Sequence, residues 1–316
     1  MTGHSELAPG RVDPRGTEGE VDLPGPRRRR RRAPAGLLFV APALVLIGFF
    51  VVYPLVRLAY LAFTEYDGLQ PEQWVGFANY ADLLAWEQFH RFLLNTTLLL
   101  LGIPVWIVVP FTLAVAMFGV RGSGPARAVL LLPALLPPVV VGSVFRIILA
   151  DNGPLNALLR SIGLDVLAPA WLSDPSVVLM TVVLVIAWGV TGMGVMFYSA
   201  GLSTMDEEVV EAAILDGATW RQLVWHVYRP ALRPVTRFWM LLLVLLTVTS
   251  FFPWIFSLTK GGPGGTSTTV DYAIYQSGLV NNDLGRAAAI SVVGILFVAL
   301  VLAVIRAARR LSGADR

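Results

Sequence analysis

Long apolar stretches alternate with short polar segments along most of this chain. A helix rises about 1.5 Å per residue and the hydrocarbon layer of a bilayer is about 30 Å thick, so roughly 17 to 25 apolar residues can cross it. Buried helices of soluble proteins seldom lack charges on every face. The pattern therefore predicts an all-α, polytopic membrane protein with six transmembrane helices. The uncharged stretches are 33–56, 92–120, 128–145, 175–205, 238–259 and 287–305.

The distribution of Lys and Arg predicts the orientation, because basic residues near span ends are retained on the cytoplasmic side. Six spans place both termini on one side. If that side is the cytoplasm, 18 of the 24 basic residues lie inside, 5 lie outside, and Arg57 falls in the first span. The densest group inside is the run of arginines at 27–32, which is typical of a topology anchor beside anionic lipid rather than of a nucleic-acid site. Both termini are predicted to be cytoplasmic.

The same pattern divides the chain into segments. Residues 1–35 are rich in Gly, Pro and charge and are predicted to form a disordered, Arg-rich cytoplasmic tail. Residues 36–310 carry the six spans, with a cytoplasmic loop at 204–230. Residues 311–316 are a second short cytoplasmic tail.

The composition argues against several kinds of functional site. The chain has no cysteine, which excludes a disulfide framework and Cys-ligated metal sites. None of the six stretches contains Asp, Glu or His, whereas ion-coupled carriers usually place ionisable residues in the membrane. The glycine cluster at 261–265 is not a phosphate-binding P-loop, because the only lysine, Lys260, precedes it. A self-sufficient channel or ion-coupled carrier stays open as the alternative to a pathway that is powered by another subunit.

The loop 204–230 carries the most specific local signals. Thr204 with Glu207 matches a capping box that would start one helix, and Gly217 is typical of a left-handed helix stop. Thr219 with Gln222 matches a second capping box, and Pro230 is expected to end that second helix. The loop is predicted to form a helix, a glycine turn and another helix.

Apolar side chains recur at helical spacing on both loop helices. On the first helix they are Val210, Ala213 and Ile214, and on the second they are Trp220, Leu223, Val224 and Val227. Such stripes favour docking on a partner. The alternative is that they lie against the chain's own helix ends.

The loop sequence Glu211-Ala212-Ala213, followed by Asp216-Gly217-Ala218, resembles the E-A-A motif of permease subunits in binding-protein-dependent ATP-binding-cassette importers. Residues 75–80 and 258–263, with Thr268, resemble the carbohydrate branch of that family, which includes maltose and glycerol-3-phosphate importers. One departure from the family pattern is Arg229, where an apolar residue usually precedes the proline.

The resemblance implies a permease in a bacterial inner membrane that imports a sugar or polyol by alternating access. It implies three protein partners: a second homologous permease, a cytoplasmic ATPase dimer that holds the ATP and Mg²⁺, and an extracytoplasmic solute-binding protein. This chain would bind no cofactor and would not be an enzyme. The coupling residues implied by the motif are Glu211, Ala212, Ala213, Asp216 and Gly217.

A solute path is suggested by hydroxyls that lie beside aromatic rings, a combination that suits sugars. Four such residues lie at i, i+3, i+4 and i+7 and are predicted to share one face of the fifth span, and two more share a face of the fourth span. The alternative is that they only pack between spans or bond to their own helices. The residues are Thr247, Ser250, Phe251 and Trp254 on the fifth span, and Trp188 and Thr191 on the fourth.

Overall fold

The computed structural model describes residues 33–311, and within them the fold is almost entirely helical. The predicted tail arginines at 27–32 and residues 312–316 lie outside the described residues. Helix α1 begins at Ala33, so the last three residues of the predicted tail are helical. The chain divides into two compact units at Val52 and Tyr53. The described part of the first unit consists of α1 (Ala33–Ile47) and a π-helical turn (Gly48–Val52).

The second unit contains the remaining elements. The helices up to the loop are α2 (Tyr53–Leu61), α3 (Ala78–Ala85), α4 (Glu87–Leu100), α5 (Ile103–Ala116), α6 (Gly124–Leu135), α7 (Pro138–Ile148), α8 (Pro154–Ser161), a 3₁₀ turn (Asp165–Leu167) and α9 (Val178–Leu202). The elements after it are α10 (Glu207–Leu215), α11 (Trp220–Gln222), a π turn (Leu223–Tyr228), α12 (Arg229–Ala231), α13 (Arg233–Thr249), α14 (Phe252–Leu258), α15 (Val270–Tyr275), a π turn (Gln276–Val280) and α16 (Leu284–Leu311). The antiparallel strands β1 (Thr64–Glu65) and β2 (Gln73–Trp74) form a small hairpin.

Four helices among the described residues are long and apolar enough to cross a membrane, and two bent helix pairs raise the number to as many as six. The four are Phe39–Leu61, Glu87–Ala116, Val178–Leu202 and Leu284–Ala307. The bent pairs are Gly124–Leu135 with Pro138–Ile148, at 96°, and Trp220–Ala231 with Arg233–Thr249, at 68°.

The third and fifth predicted spans are broken rather than continuous. Leu136 is extended because a residue that precedes a proline is disfavoured in the helical region, and Pro137 and Pro138 follow it. In the fifth span, the ring of Pro253 would crowd the carbonyl of Thr249 in a continuous helix. Helix α13 accordingly ends at Thr249, and α14 begins at Phe252.

The main core of the second unit lies between α4, α5, α9, α13 and α14. Two fully buried tryptophans connect these helices through their indole N–H groups. Trp106 donates to the carbonyl of Val183 at 3.0 Å, and Trp239 donates to the carbonyl of Trp106 at 2.9 Å. A buried indole usually finds such a partner. These bonds fix α9, from which the loop continues, to α5 and α13.

Candidate functional site

The loop after α9 starts differently from its prediction. Asp206 has the extended backbone of a helix N-cap, and its carboxylate accepts from the amide of Glu208 at 3.1 Å. The N-cap of α10 is thus Asp206 and not the predicted Thr204. Thr204 is still in the turn that ends α9 and donates its hydroxyl to the carbonyl of Gly201 at 2.8 Å. An N-cap must be extended, so the first residue able to cap α10 is Asp206.

The end of α10 matches its prediction. Gly217 has a φ of +79°, the left-handed region where a glycine lacks the steric penalty of a Cβ. The amide of Ala218 donates to the carbonyl of Ala213, and the amide of Gly217 donates to that of Ile214, both at 3.0 Å. These two bonds are the Schellman pattern that closes a helix C-terminus. The backbone therefore leaves α10 in one defined direction.

The second capping box forms as predicted. The Thr219 amide donates to the side-chain oxygen of Gln222 at 2.7 Å, and the Gln222 amide donates to the Thr219 hydroxyl at 3.4 Å. The helix then widens into the π turn and ends at Ala231, so the prediction that Pro230 ends it is wrong by one residue. The chain bends 68° there, directly before Arg233 and Pro234.

The apolar stripes of the loop are divided between two surroundings. Val210 and Ala213 of α10, with Leu223, Val224 and Val227 of the second helix, pack against the main core. For these residues the open alternative, contact with the chain's own helices, is correct.

The other side of the loop is exposed. Glu211, Ala212, Asp216 and Gly217 are all exposed, and Leu215 is 87% exposed. The remaining exposed apolar side chains are Val209, Ile214, Trp220 and Trp225. Of the five coupling residues implied by the motif, only Ala213 is half-buried. The loop thus has one face attached to the core and one exposed face that is both polar and apolar, on which the Arg229 guanidinium lies over the Trp225 ring at 4.6 Å.

The fourth-span residues of the suggested solute path lie in an apolar groove of about 520 Å³ between α5, α6 and α9. Trp188 is 43% exposed there. Thr191 is buried and donates its hydroxyl to the carbonyl of Ala187, one turn earlier in its own helix.

The fifth-span residues do not share one helical face, because the helix breaks between α13 and α14. Thr247 is fully buried and donates to the carbonyl of Leu243 at 2.7 Å. Ser250 is exposed at the break. Phe251 is buried, with its ring centroid 5.4 Å from that of Trp106 in an edge-to-face arrangement. The prediction that these four residues share one helical face is therefore wrong.

Trp254, on α14, is 6% exposed and packs on Gly189 of α9. A Cβ added at Gly189 would lie 2.3 Å from the Trp254 ring. Small residues of this kind allow close approach between membrane helices. The structure thus brings the fourth and fifth predicted spans together at a glycine next to Trp188.

Sequence reasoning missed Asn95, which holds the loop that contains the Gly-Gly-Pro segment. It is buried in α4 and donates its amide to the carbonyls of Gly265 at 3.0 Å and Thr268 at 2.9 Å. These contacts join residues about 170 positions apart in the sequence, so no local sequence pattern predicts them.

Sequence reasoning also missed Asp271 in α15, outside the candidate spans. Its Oδ1 accepts from the hydroxyl of Thr269 and from the amide of Tyr272. Its Oδ2 is buried with no hydrogen-bond partner in the described part of the chain. Burial raises the pKa of Asp271 to about 6, although the hydrogen bonds from the Thr269 hydroxyl and the Tyr272 amide oppose this rise.

Comparison with known proteins agrees with this architecture. The model of a family described as binding-protein-dependent transport system inner membrane component matches residues 37–314. A probable ABC transporter permease of Pyrococcus horikoshii is 31% identical over 280 residues, which cover 87% of this chain and 95% of that protein. The lactose transport system permease LacF of Rhizobium radiobacter is 29% identical, with coverage of 84% and 91%.

A solved structure has the same fold. It is that of a bacterial ABC transporter involved in the import of the acidic polysaccharide alginate. The TM-score is 0.73 at 25% identity, and the match covers 87% of this chain and 96% of the other.

Proposed function

Since the chain belongs to the family of binding-protein-dependent transport system inner membrane components, we propose that it is the sugar-importing permease subunit of an ATP-driven importer and that its loop transmits the ATPase movement. It is a transport subunit, not an enzyme. Family membership favours this function over a self-sufficient channel or ion-coupled carrier. The named relative LacF and the alginate importer support a carbohydrate or polyol as solute.

The observation that carries the coupling role is that α10 is attached to the core on one side and exposed on the other. Its inner side, with Val210 and Ala213, packs on the core that also contains α9 and α13. Its outer side presents Glu211, Ala212, Leu215 and Asp216 to a partner. A force on that outer side reaches the core through packed side chains, which transmit displacement as rigid bodies.

The partner that fits this outer side is a cytoplasmic ATPase subunit. Leu215 and the exposed tryptophans supply apolar area, and the carboxylates of Glu211 and Asp216 can accept charge-assisted hydrogen bonds. ATP and Mg²⁺ belong to that ATPase. The proposal therefore includes a chain that crosses the bacterial inner membrane six times, with this loop and both termini on the cytoplasmic side. A second permease and an extracytoplasmic solute-binding protein complete the assembly.

The proposed solute path passes the junction of α9, α13 and α14. Ser250 is exposed at the helix break, and Trp188 is exposed in the groove between α5, α6 and α9. Thr191, Thr247, Phe251 and Trp254 are covered, so the solute meets them only when α14 moves relative to α9 in the alternating-access cycle. The helix break at Ser250 and Phe251 is the point where such a movement costs the fewest backbone hydrogen bonds.

Replacement of Gly217 by valine tests the coupling role. A Cβ at a positive φ costs about 1 kcal/mol or more and would redirect the chain that leaves α10. Gly163 is a matched control, because its φ is +74° and, as at Gly217, a Cβ would meet nothing within 4 Å. We expect Gly217→Val to insert normally but to lose ATPase association and at least tenfold of the solute-stimulated ATP turnover. Gly163→Val should stay within about twofold of the parent.

Both quantities are measured on the complex purified with its partner subunits and reconstituted in lipid. If Gly217→Val and Gly163→Val behave alike in both measurements, the loop does not transmit the ATPase movement.

A further inference from the structure

The segment from the last turn of α2 to α4 carries a group of aromatic rings that contact one another. The ring centroids of Phe63 and Trp74 are 5.5 Å apart, those of Tyr60 and Trp74 are 5.7 Å apart, and those of Phe63 and Phe77 are 5.2 Å apart. Phe63 is half-buried at the centre of the group. The outer rings are open, since Trp74 is 63% and Phe77 is 73% exposed.

Helix α3 extends this open apolar area. Phe77, Ala81 and Leu84 lie at i, i+4 and i+7, and all three are exposed. The other side of α3 is fixed to the chain by the buried Leu83 and by Asn79, whose amide donates to the carbonyls of Ala62 at 3.1 Å and Thr64 at 2.9 Å. The helix is therefore held in place with one apolar side outward. We define Tyr60, Trp74, Phe77, Ala81 and Leu84 as the aromatic surface.

The hairpin beside this surface has two chemically different faces. Cross-strand partners share a face of a hairpin, and neighbours along a strand point to opposite faces. Trp74 pairs with Thr64, whereas Gln73 pairs with Glu65. Gln73 and Glu65 line a polar depression together with Asp67 and Gln70. An apolar side and a polar side thus lie back to back, as in segments that lie in a membrane interface.

Two contacts fix the level of the hairpin relative to the spans. Arg57, one turn before the end of the candidate span at Leu61, forms an ion pair with Glu72 and lies over the ring of Tyr60 at 5.3 Å. The amides of Leu284 and Gly285, at the start of another candidate span, donate to the carbonyl of Tyr66 at 2.9 and 3.1 Å. The hairpin therefore contacts the same-side ends of two spans.

Gly285 allows this close contact, because a Cβ there would lie 2.1 Å from the carbonyl oxygen of Thr64. The ends of membrane-spanning helices lie where hydrocarbon gives way to lipid headgroups. The aromatic surface is consequently at that level. This placement depends only on the chain crossing a bilayer, and neither the solute nor the direction of transport enters it.

We propose that the aromatic surface binds the headgroup region of the phospholipid bilayer and anchors the hairpin and α3 in the interface. Tyr and Trp are suited to this region because their rings are apolar and their O–H and N–H groups are polar. The ion pair with Glu72 compensates the Arg57 charge in the last turn of a span, where an unpaired charge is costly.

Spin labelling tests the proposal directly, because the chain has no cysteine and each introduced one is unique. Phe77→Cys and Leu84→Cys place a nitroxide on the aromatic surface. Gln73→Cys is the matched control on the opposite face of the hairpin, where Gln73 is also exposed. The labelled complex, with its partner subunits, is reconstituted in phosphatidylethanolamine and phosphatidylglycerol vesicles. Collision rates with oxygen and with a neutral nickel chelate are measured by electron paramagnetic resonance.

We expect the labels at 77 and 84 to collide at least threefold more with oxygen, relative to the nickel chelate, than the label at 73. Equal ratios at all three positions would place the surface in water and overturn the proposal. Labels shielded from both reagents, and released when the solute-binding protein or the second permease is left out, would show a protein interface instead and would also overturn it. If Phe77→Cys fails to assemble, Leu84→Cys alone decides between these outcomes.

Discussion

The loop after α9 and the region around the break in the fifth span differ in how many of their side chains have packing or hydrogen-bond partners within the chain. In the loop, Glu211, Ala212 and Asp216 are exposed while the backbone beside them is closed by a Schellman turn. Around the break, Thr247 and Thr191 donate to their own helices, and Trp254 fills a notch at Gly189. The first region leaves its outer side chains exposed, whereas most side chains of the second find their contacts within the chain.

The largest effect that tests this difference is expected at Trp254. Truncating a buried Trp to Ala costs about 3–5 kcal/mol of unfolding free energy, since packing against Gly189 and its neighbours is lost. Trp188→Ala is the matched control, because Trp188 is 43% exposed in the groove between α5, α6 and α9 and its ring centroid lies 5.2 Å from that of Phe145. Its loss should therefore cost less than that of Trp254, about 1–2 kcal/mol. Thermal unfolding of both variants is measured in the same lipid or detergent.

Solute uptake by the two variants separates packing from transport. We expect Trp188→Ala to weaken apparent solute affinity with only a small loss of stability, while Trp254→Ala lowers both strongly. Equal stability losses would remove the distinction between a covered and an open side. Unchanged affinity and rate in both variants, with basal ATPase activity intact, would exclude this junction from the solute path.

The contrast also explains what the sequence could predict. The end of α10 and the second capping box depend on residues within five positions of each other, so local rules predicted Gly217 and the Thr219–Gln222 pair correctly. The first predicted N-cap, Thr204, is wrong, although Thr204 and Glu207 have the residue types and spacing of a capping box. Thr204 is in the turn that follows Leu202, the last residue of α9, and Asp206 is the residue with the extended backbone of an N-cap.

The fifth span shows a different error. The length of the apolar stretch predicts one continuous helix. Pro253, however, has no N–H to donate to the carbonyl of Thr249, and its ring would crowd that carbonyl. Pro137 and Pro138 gave the same signal in the third span. By contrast, Asn95 and Asp271 act through contacts with distant segments, and no spacing within a single helix could have predicted them.

Asp271 gives the next effect in size, because it is one of the few unsatisfied groups near the break. Its carboxyl keeps a proton more tightly in the folded chain, because burial raises its pKa from the ordinary 3.8 to about 6. This stabilisation is fully present below the lower value and is lost as the pH rises through about 6. The loss is on the order of 3 kcal/mol by linkage.

Asp271→Asn should therefore flatten the pH dependence of thermal unfolding between pH 4 and 7. Asp174→Asn is the control with the opposite sign, since hydrogen bonds from Ser176 lower the pKa of Asp174. It should leave the slope in that window unchanged. A parent protein whose unfolding temperature does not fall between pH 4 and 7 would mean that the Asp271 carboxyl is satisfied by water or by a partner.

The smallest effect is expected at Gln222, where the question is how rigid the exposed loop is by itself. Gln222→Ala removes the side-chain oxygen that accepts from the Thr219 amide, a net loss of about 0.5–1 kcal/mol that the better helix propensity of Ala partly offsets. Because amide exchange follows local opening, this corresponds to roughly two- to fivefold faster hydrogen exchange at residues 219–223. Gln88→Ala is the control, since Gln88 is exposed in the first turn of α4. It should leave exchange in the loop unchanged.

Hydrogen exchange is measured by mass spectrometry. If it accelerates at 219–223 while α10 stays protected, the end of α10 is held by its own Schellman turn and core contacts. Acceleration that spreads through α10 would mean instead that the loop is one cooperative unit, so that its two helices transmit force only together.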